Sequence, residues 1–302
     1  HDRAVTSIEM AARLTGPFAK LAKPILENPF TKKVIEASVG VSARRDAVLF
    51  ARRPLRKRIA PIEGRGSVHV LYFAGCYASY IRPEIGEAAV RVLSHAGLTV
   101  HTPEQHCCGL PMLSKGLVNQ ARGKVKRNLG QWSDLLASVN HIVVTCSSCG
   151  LSLLQEWSYL LDDPQIRRVA GKLIHITDLL RQLTPDFSFS EKPVSIGYHM
   201  PCHLKLQKQS DASVSYLRRI PGVKVDELDS HCCGIAGSWG LARDHFDLSR
   251  RIGNDLIDKL DRSGAEMAAT DCPTCRMQLE QFSDKPVLHP IEIILERMHF
   301  NP

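Results

Sequence analysis

The stretch HIVVTCSSCG at residues 141–150, an apolar run that ends in a CxxC pair, returns near the other end of the chain as AATDCPTC at 268–275. Further cysteines precede each pair in the same order. Upstream of Cys146 and Cys149 stand the single Cys76 and the vicinal Cys107 and Cys108, followed by Gly109. Upstream of Cys272 and Cys275 stand Cys202 and the vicinal Cys232 and Cys233, followed by Gly234. The offset is 126 residues from Cys76 to Cys202, 125 from Cys107 to Cys232 and 126 from Cys146 to Cys272, so all ten cysteines fall into two sets of five. A flanking piece repeats too, IHITDLL at 174–180 against LHPIEII at 288–294. A period of this length means two similar domains and not an array of small repeats.

Each set sits in alternating strand and helix patterns. SVHVLYFAG (67–75) is a β-rich run ending at Cys76; Pro83–His95 has helical periodicity, with Pro83 suited to a first turn and Gly97 to a stop. LTVHT (98–102) leads to the CysCysGly, Leu117–Leu136 reads as a long basic helix interrupted near Gly130, and IVVT (142–145) runs into the CxxC, with a helix over Leu151–Leu161 behind it. The second half copies the order with VSIGYHM (194–200), a helix over Leu204–Arg219, VKVDEL (223–228), a helix over His245–Leu260 and EMAAT (266–270). The expected fold is α/β: two duplicated domains with parallel sheets flanked by helices, preceded by a short helical lead-in. Boundaries are expected at 1–66, 67–190 and 191–302, with Pro61 and the GRG at 64–66 marking the first. In such sheets ligands sit beyond the carboxyl ends of the strands, and every cysteine cluster lies there. The five thiols of one set can therefore converge.

Length and composition agree with two ordinary domains: 302 residues, 44% apolar and 23% charged. No run of about 18 apolar residues suggests a membrane span. The first residue is His1, so the chain reads as a processed product or a piece of a longer polypeptide. CxxC pairs in such a protein point to a reducing, cytoplasmic setting. The net charge is +8, and residues 44–58 carry seven basic side chains against the single Asp46. That run is either a solvated linker or a contact for an anionic membrane face or an acidic protein partner. Nucleic acid is not an expected partner, because no recognisable fold or aromatic platform accompanies the charge. The lead-in shows short amphipathic stretches around Ile8–Leu14 and Thr31–Val39, broken by Pro17, Pro24 and Pro29.

Five thiols per domain fit disulfides poorly, since five is odd and neighbours such as Cys107 and Cys108 bridge only with strain. Structural zinc takes four ligands and would leave one thiol idle per domain. Iron–sulfur chemistry suits the set better, because thiolate is its usual ligand; zinc and thiol catalysis stand as alternatives. His106 and His231, each just before a cysteine pair, and His175 and His289, which match between repeats, are candidates for packing or for hydrogen bonds that tune a bound group. No serine–histidine–acid constellation and no phosphate-binding glycine loop is found; GRG at 64–66 precedes a strand instead of following one.

The duplicated Cys, CysCysGly, CxxC pattern resembles the cysteine-rich CCG-domain family typified by heterodisulfide reductase. The wording CCGIAGSWG (232–240), DCPTC (271–275) and HPIEII (289–294) looks most like the branch that supplies the iron–sulfur protein of anaerobic glycerol-3-phosphate dehydrogenase. The resemblance covers about residues 67–302. It implies two iron–sulfur clusters of the noncubane [4Fe-4S] type, one held by Cys76, Cys107, Cys108, Cys146 and Cys149 and the other by Cys202, Cys232, Cys233, Cys272 and Cys275. It further implies electron passage from a flavoprotein dehydrogenase towards membrane quinone, peripherally on the inner membrane face. In some relatives it implies reduction of a disulfide instead. Members of that branch carry an N-terminal ferredoxin-like region with CxxCxxCxxxCP runs, which this sequence does not contain, so a ferredoxin-like domain or subunit is an expected partner. Some relatives lack a ligand of the first set; this chain keeps all five.

Overall fold

The computed structural model describes residues 8–16, 19–207 and 210–299. Two sheets form the frame. The first contains β1 (Ile62–Glu63), β2 (Val68–Phe73), β3 (Leu98–His101), β4 (His141–Val144) and β5 (Leu173–His175), in the order β1-β3-β2-β4-β5. The second contains β6 (Val194–Tyr198), β7 (Val223–Glu227), β8 (Met267–Ala269) and β9 (Val287–Leu288), in the order β7-β6-β8-β9. All pairings are parallel except β1 with β3, where Ile62 faces His101. With β1 set aside, the orders are equivalent, as the duplication requires.

The inner strands are buried on both faces, which is why β2 and β4 read as continuous Val, Ile, Leu and Tyr runs rather than alternating ones. β5 and β9 are only three and two residues long, too short to show a period, although one ends on a repeated histidine, His175, and the other is followed by its counterpart His289. The helix expected near Leu117–Leu136 runs unbroken from Val118 to Ser138. Gly130 sits exposed on it with open space where a Cβ would go, so it weakens the helix without breaking it. The helix expected over Leu204–Arg219 is instead two short ones, Cys202–Lys205 and Ala212–Leu217. Gln207 ends the first turn by donating to Ser147 O and His203 O, both at 2.8 Å.

One apolar core crosses the sequence midpoint. It joins Val70, Tyr72 and Leu93 of the first half to Ile196, Tyr198, Leu217, Ile291 and Ile294 of the second. The helices cross over: Pro290–Arg297 packs on Pro83–His95, and Ile176–Leu183 packs on Ala212–Leu217. A second core lies under the first cysteine set, where Trp132 packs between Phe73 and Trp157 with ring centroids 5.5 and 5.8 Å apart.

The lead-in contains helices Ile8–Thr15, Ala19–Glu27 and Pro29–Val39. Its first helix meets the first half through Glu9; the chain then crosses to the second half, where Ser42 N donates to Leu241 O (2.9 Å) and Arg243 N to Gly40 O (2.9 Å). It then returns to the first half, with Ala51 N donating to Tyr80 O at 2.7 Å. Much of the basic run is engaged internally: Arg44 pairs with Asp247, Arg56 with Glu104, and Arg58 with Glu84 and Glu87, while Arg45 is buried. No helix among the described residues is long and apolar enough to cross a membrane.

Candidate metal centre

Each cysteine cluster follows a strand end, as the periodicity requires. After β2 the chain turns at Gly75 (φ 66°), where a Cβ would lie 2.8 Å from Cys149 Sγ, and enters a short helix bearing Cys76. Gln105 accepts from Ala74 N and Gly75 N and donates to Tyr72 O, tying this loop to the next. The loop after β3 is clamped by the fully buried Asn128, which accepts from His106 N (2.7 Å) and donates to the carbonyls of His106 and Cys107. Behind the first CxxC, residues Ser152–Glu156 wind as a π-helix. Ser152 Oγ and Trp157 Nε1 thereby both donate to Cys108 O, at 3.1 and 2.8 Å.

The thiols gather. In the first set hydrogen-bonding contacts run from Cys76 to Cys107, Cys107 to Cys108, Cys108 to Cys149 and Cys149 to Cys146. In the second they run from Cys232 to Cys233, Cys233 to Cys275 and Cys275 to Cys272, while Cys202 stands outside this chain of contacts, within electrostatic range of Cys272 and Cys233. All ten are free thiols. Donation from neighbouring thiols brings Cys108 down to about 5 and Cys272 to about 7 and holds Cys233 well below the ordinary thiol value. Contact with those acceptors and burial raise Cys149 and Cys275. Each set thus holds at least one thiol poised to ionise, Cys108 in the first and Cys233 and Cys272 in the second, among thiols that contact with those acceptors and burial hold protonated.

The sets face one cavity of about 660 Å³, lined by every cysteine except Cys107. Ile8, Leu26, Ile35, Val48 and Phe50 of the lead-in complete its wall, so that segment is part of the site. The two CxxC motifs meet: Ser147 N donates to Asp271 O (3.1 Å), His289 Nε2 to Thr145 O (2.7 Å), and His203 Nδ1 lies 2.8 Å from Ser148 Oγ. The sets differ in cover, since Cys202 is exposed whereas Cys76 is partly buried.

The histidines separate. His231 is exposed, and His106 Nδ1 lies 3.5 Å from Glu9 Oε2. His175 and His289 stack between the halves, each with Nε2 3.6 Å from Oδ1 of the fully buried Asp271. That spacing suits a metal ion, but His289 Nδ1 accepts from Ile291 N, so Nε2 carries the proton given to Thr145 O and has no lone pair for a cation. Asp271 instead accepts from Tyr198 Oη (2.5 Å) and Ser213 Oγ (2.9 Å). Thr145 holds the equivalent place in the first half and bonds to Tyr72. His199, buried beside the second set, has its Nε2 unpartnered at the cavity, and burial lowers its pKa to about 4. Glu9, Arg45 and Asp271 escape a sequence reading, because nothing in their neighbours marks them as part of a site assembled from distant segments.

The glycine after each vicinal pair has φ of 90°. At Gly234 a Cβ would lie 2.1 Å from Ser249 O, whereas Gly237 (φ 69°) has open space. Gly234→Ala is expected to destabilise the protein by well over 2 kcal/mol and Gly237→Ala by about 1 kcal/mol, read by urea denaturation under reductant.

Two α/β halves that each gather five thiols at the carboxyl ends of parallel strands define a duplicated thiolate cradle. The chain belongs to the cysteine-rich CCG-domain family, whose model matches residues 70–154 and 196–280. It is 26% identical over 303 residues to the C component of anaerobic glycerol-3-phosphate dehydrogenase of Escherichia coli, covering 96% of this chain and 75% of that protein. It is 25% identical over 232 residues to the B component of fumarate reductase (CoM/CoB) of Methanothermobacter marburgensis, covering 74% of this chain and 44% of that one. To the glycolate oxidase iron-sulfur subunit of Escherichia coli it is 27% identical over 234 residues, covering 74% and 57% respectively.

Proposed function

We propose that this chain is the iron–sulfur electron-transfer subunit of a dehydrogenase, with one cluster on each set of five cysteines and both clusters of the noncubane [4Fe-4S] type. The observation that carries this reading is the convergence of each set on a shared cavity, with all ten thiols free. The donor set fits: several thiolates and apolar surroundings suit a multi-iron cluster, and five donors exceed what zinc takes. A bound cluster supplies one-electron steps. The protein's part is to hold the cluster by thiolates, to let backbone approach at Gly75, to exclude water with the lead-in and to join the cradles through Ser147 and Asp271.

The names of two relatives, components of anaerobic glycerol-3-phosphate dehydrogenase and of glycolate oxidase, support a catalytic partner subunit. In this reading that partner is a flavoprotein dehydrogenase of the glycerol-3-phosphate kind, and electrons enter through a ferredoxin-like domain or subunit. The acceptor in this reading is membrane quinone, reached by a protein that is cytoplasmic and peripheral on the inner face. A second reading, a disulfide reductase, is favoured by the cavity lying between the two sets, where a substrate could meet both.

Anaerobically purified protein is expected to be brown, with iron, acid-labile sulfide and a paramagnetic resonance signal on reduction or oxidation. Colourless protein holding zinc overturns the reading. Reoxidation of the reduced protein by a disulfide without added quinone selects the reductase.

A further inference from the structure

We infer that the two cluster sites are unequal, the first set holding its electron at lower potential than the second, and that Glu9 and Arg45 of the lead-in set the difference. The inference rests on the proposed binding of one cluster by each set.

Arg45 is 4% exposed. Its Nε and Nη2 donate to Gly240 O (3.1 and 2.8 Å), Nη2 also to Ser249 Oγ (2.7 Å), and Nη1 to Gln278 Oε1 (2.7 Å) and Gln281 Oε1 (3.0 Å). Every one of these acceptors is neutral. Phe246 and Phe282 cover the guanidinium at 4.8 and 5.7 Å. A buried cation without an ion-pair partner among the described residues is costly, and Cys233 lies within electrostatic range of it. The supporting frame is the same one that shapes the second set: Ser249 backs Gly234, and Gln278 shares a helix with Cys275. Arg45 thus places a fixed positive charge behind the second CysCysGly loop.

The first loop meets the opposite sign. Glu9 Oε1 accepts from Cys107 N at 2.5 Å, and Oε2 is held by Lys124 Nζ at 2.5 Å. The pair is a dipole whose negative end faces the first cysteine set, and Glu9 acts electrostatically on Cys76. No carboxylate is hydrogen-bonded to the matching Cys232 backbone among the described residues. An added electron is repelled by the carboxylate and attracted by the guanidinium, and both effects are strong away from water. The buried Asp271 carboxylate next to Cys272 is turned to Tyr198 Oη and Ser213 Oγ and not to the thiols, so the electron settles on the second set, the one whose Cys202 is exposed.

The test is an anaerobic redox titration followed by paramagnetic resonance. The wild type is expected to show two separate midpoints, assigned with Cys149→Ser and Cys275→Ser, each of which leaves one cluster. Glu9→Gln is expected to raise the lower midpoint alone, and Glu9→Asp to leave it nearly in place. Arg45→Met is expected to lower the upper midpoint alone, and Arg45→Lys to keep it. Coincident wild-type midpoints, or a lower midpoint that Glu9→Gln leaves unmoved, overturn the inference. Glu9→Gln keeps the length of the side chain and an acceptor for Cys107 N, so it decides the matter even where Arg45→Met loses the fold. A preparation that binds no iron fails the proposed function instead, and is recognised before any titration.

Discussion

Cys149→Ser is expected to remove about half of the iron and acid-labile sulfide from the anaerobically purified chain and to leave the other half in place. Cys149 is the thiol that links Cys108 to Cys146, so it occupies the middle of the first set and not its margin. It is 5% exposed, and the hydroxyl of serine matches the thiol in shape but is a poor ligand for iron. The fold should survive, because the near-isosteric change opens little space in the core. Cys275→Ser is expected to empty the second set in the same way, and the double variant to bind no cluster. The check is iron and sulfide per chain beside the circular dichroism spectrum. Full metal content in both single variants would show that these thiols are not ligands.

Neither half is expected to fold alone. If residues 67–190 and 191–302 are produced separately, each should lack a cooperative unfolding transition and be digested rapidly by protease, while mixing the two should restore protection. The reason is the crossed packing: Ile85, Ala89 and Leu93 belong to the same core as Ile291 and Ile294, and Ile176 and Leu180 to the same core as Val214 and Leu217. Each large aliphatic side chain contributes roughly 1.5–3 kcal/mol when buried. Exposing several of them exceeds the roughly 5–15 kcal/mol by which a typical domain is stable. Asp271 and His289 add to the loss, because their partners Ser147 and Thr145 lie across the cut. Cooperative unfolding of either isolated half would sink this expectation.

The sequence made the architecture readable because the cysteine register fixed the duplication and the Val- and Ile-rich runs before each cluster marked central strands. What escaped has physical causes. β5 and β9 are shorter than any period, and β1 pairs antiparallel with β3 from within a stretch that reads as a boundary. The break after Lys205 depends on Gln207 reaching a carbonyl in the other half. For the candidate centre, the order of the cysteines let their convergence be foreseen, since side chains at the carboxyl ends of adjacent parallel strands face one region. The surroundings were not legible. Asn128 is one polar residue on a long helix, Glu9 lies nearly 100 positions from the loop it meets, and Arg45 looks like one more charge in a basic run until its burial is seen.

The crossed helices also place a delay in the protein's own synthesis. Pro83–His95 emerges from the ribosome about 200 residues before Pro290–Arg297, the helix that covers it; at roughly 5–20 residues per second, that is on the order of 10–40 s. Through that interval the nascent chain carries an uncovered apolar face. Its first five sulfurs are complete once Cys149 is made, before the residues of the second half that meet them, His203, Gln207 and His289, exist. The growing polypeptide is therefore most open to stray oxidation between the making of Cys149 and that of His203, and most open to aggregation until Pro290–Arg297 is made.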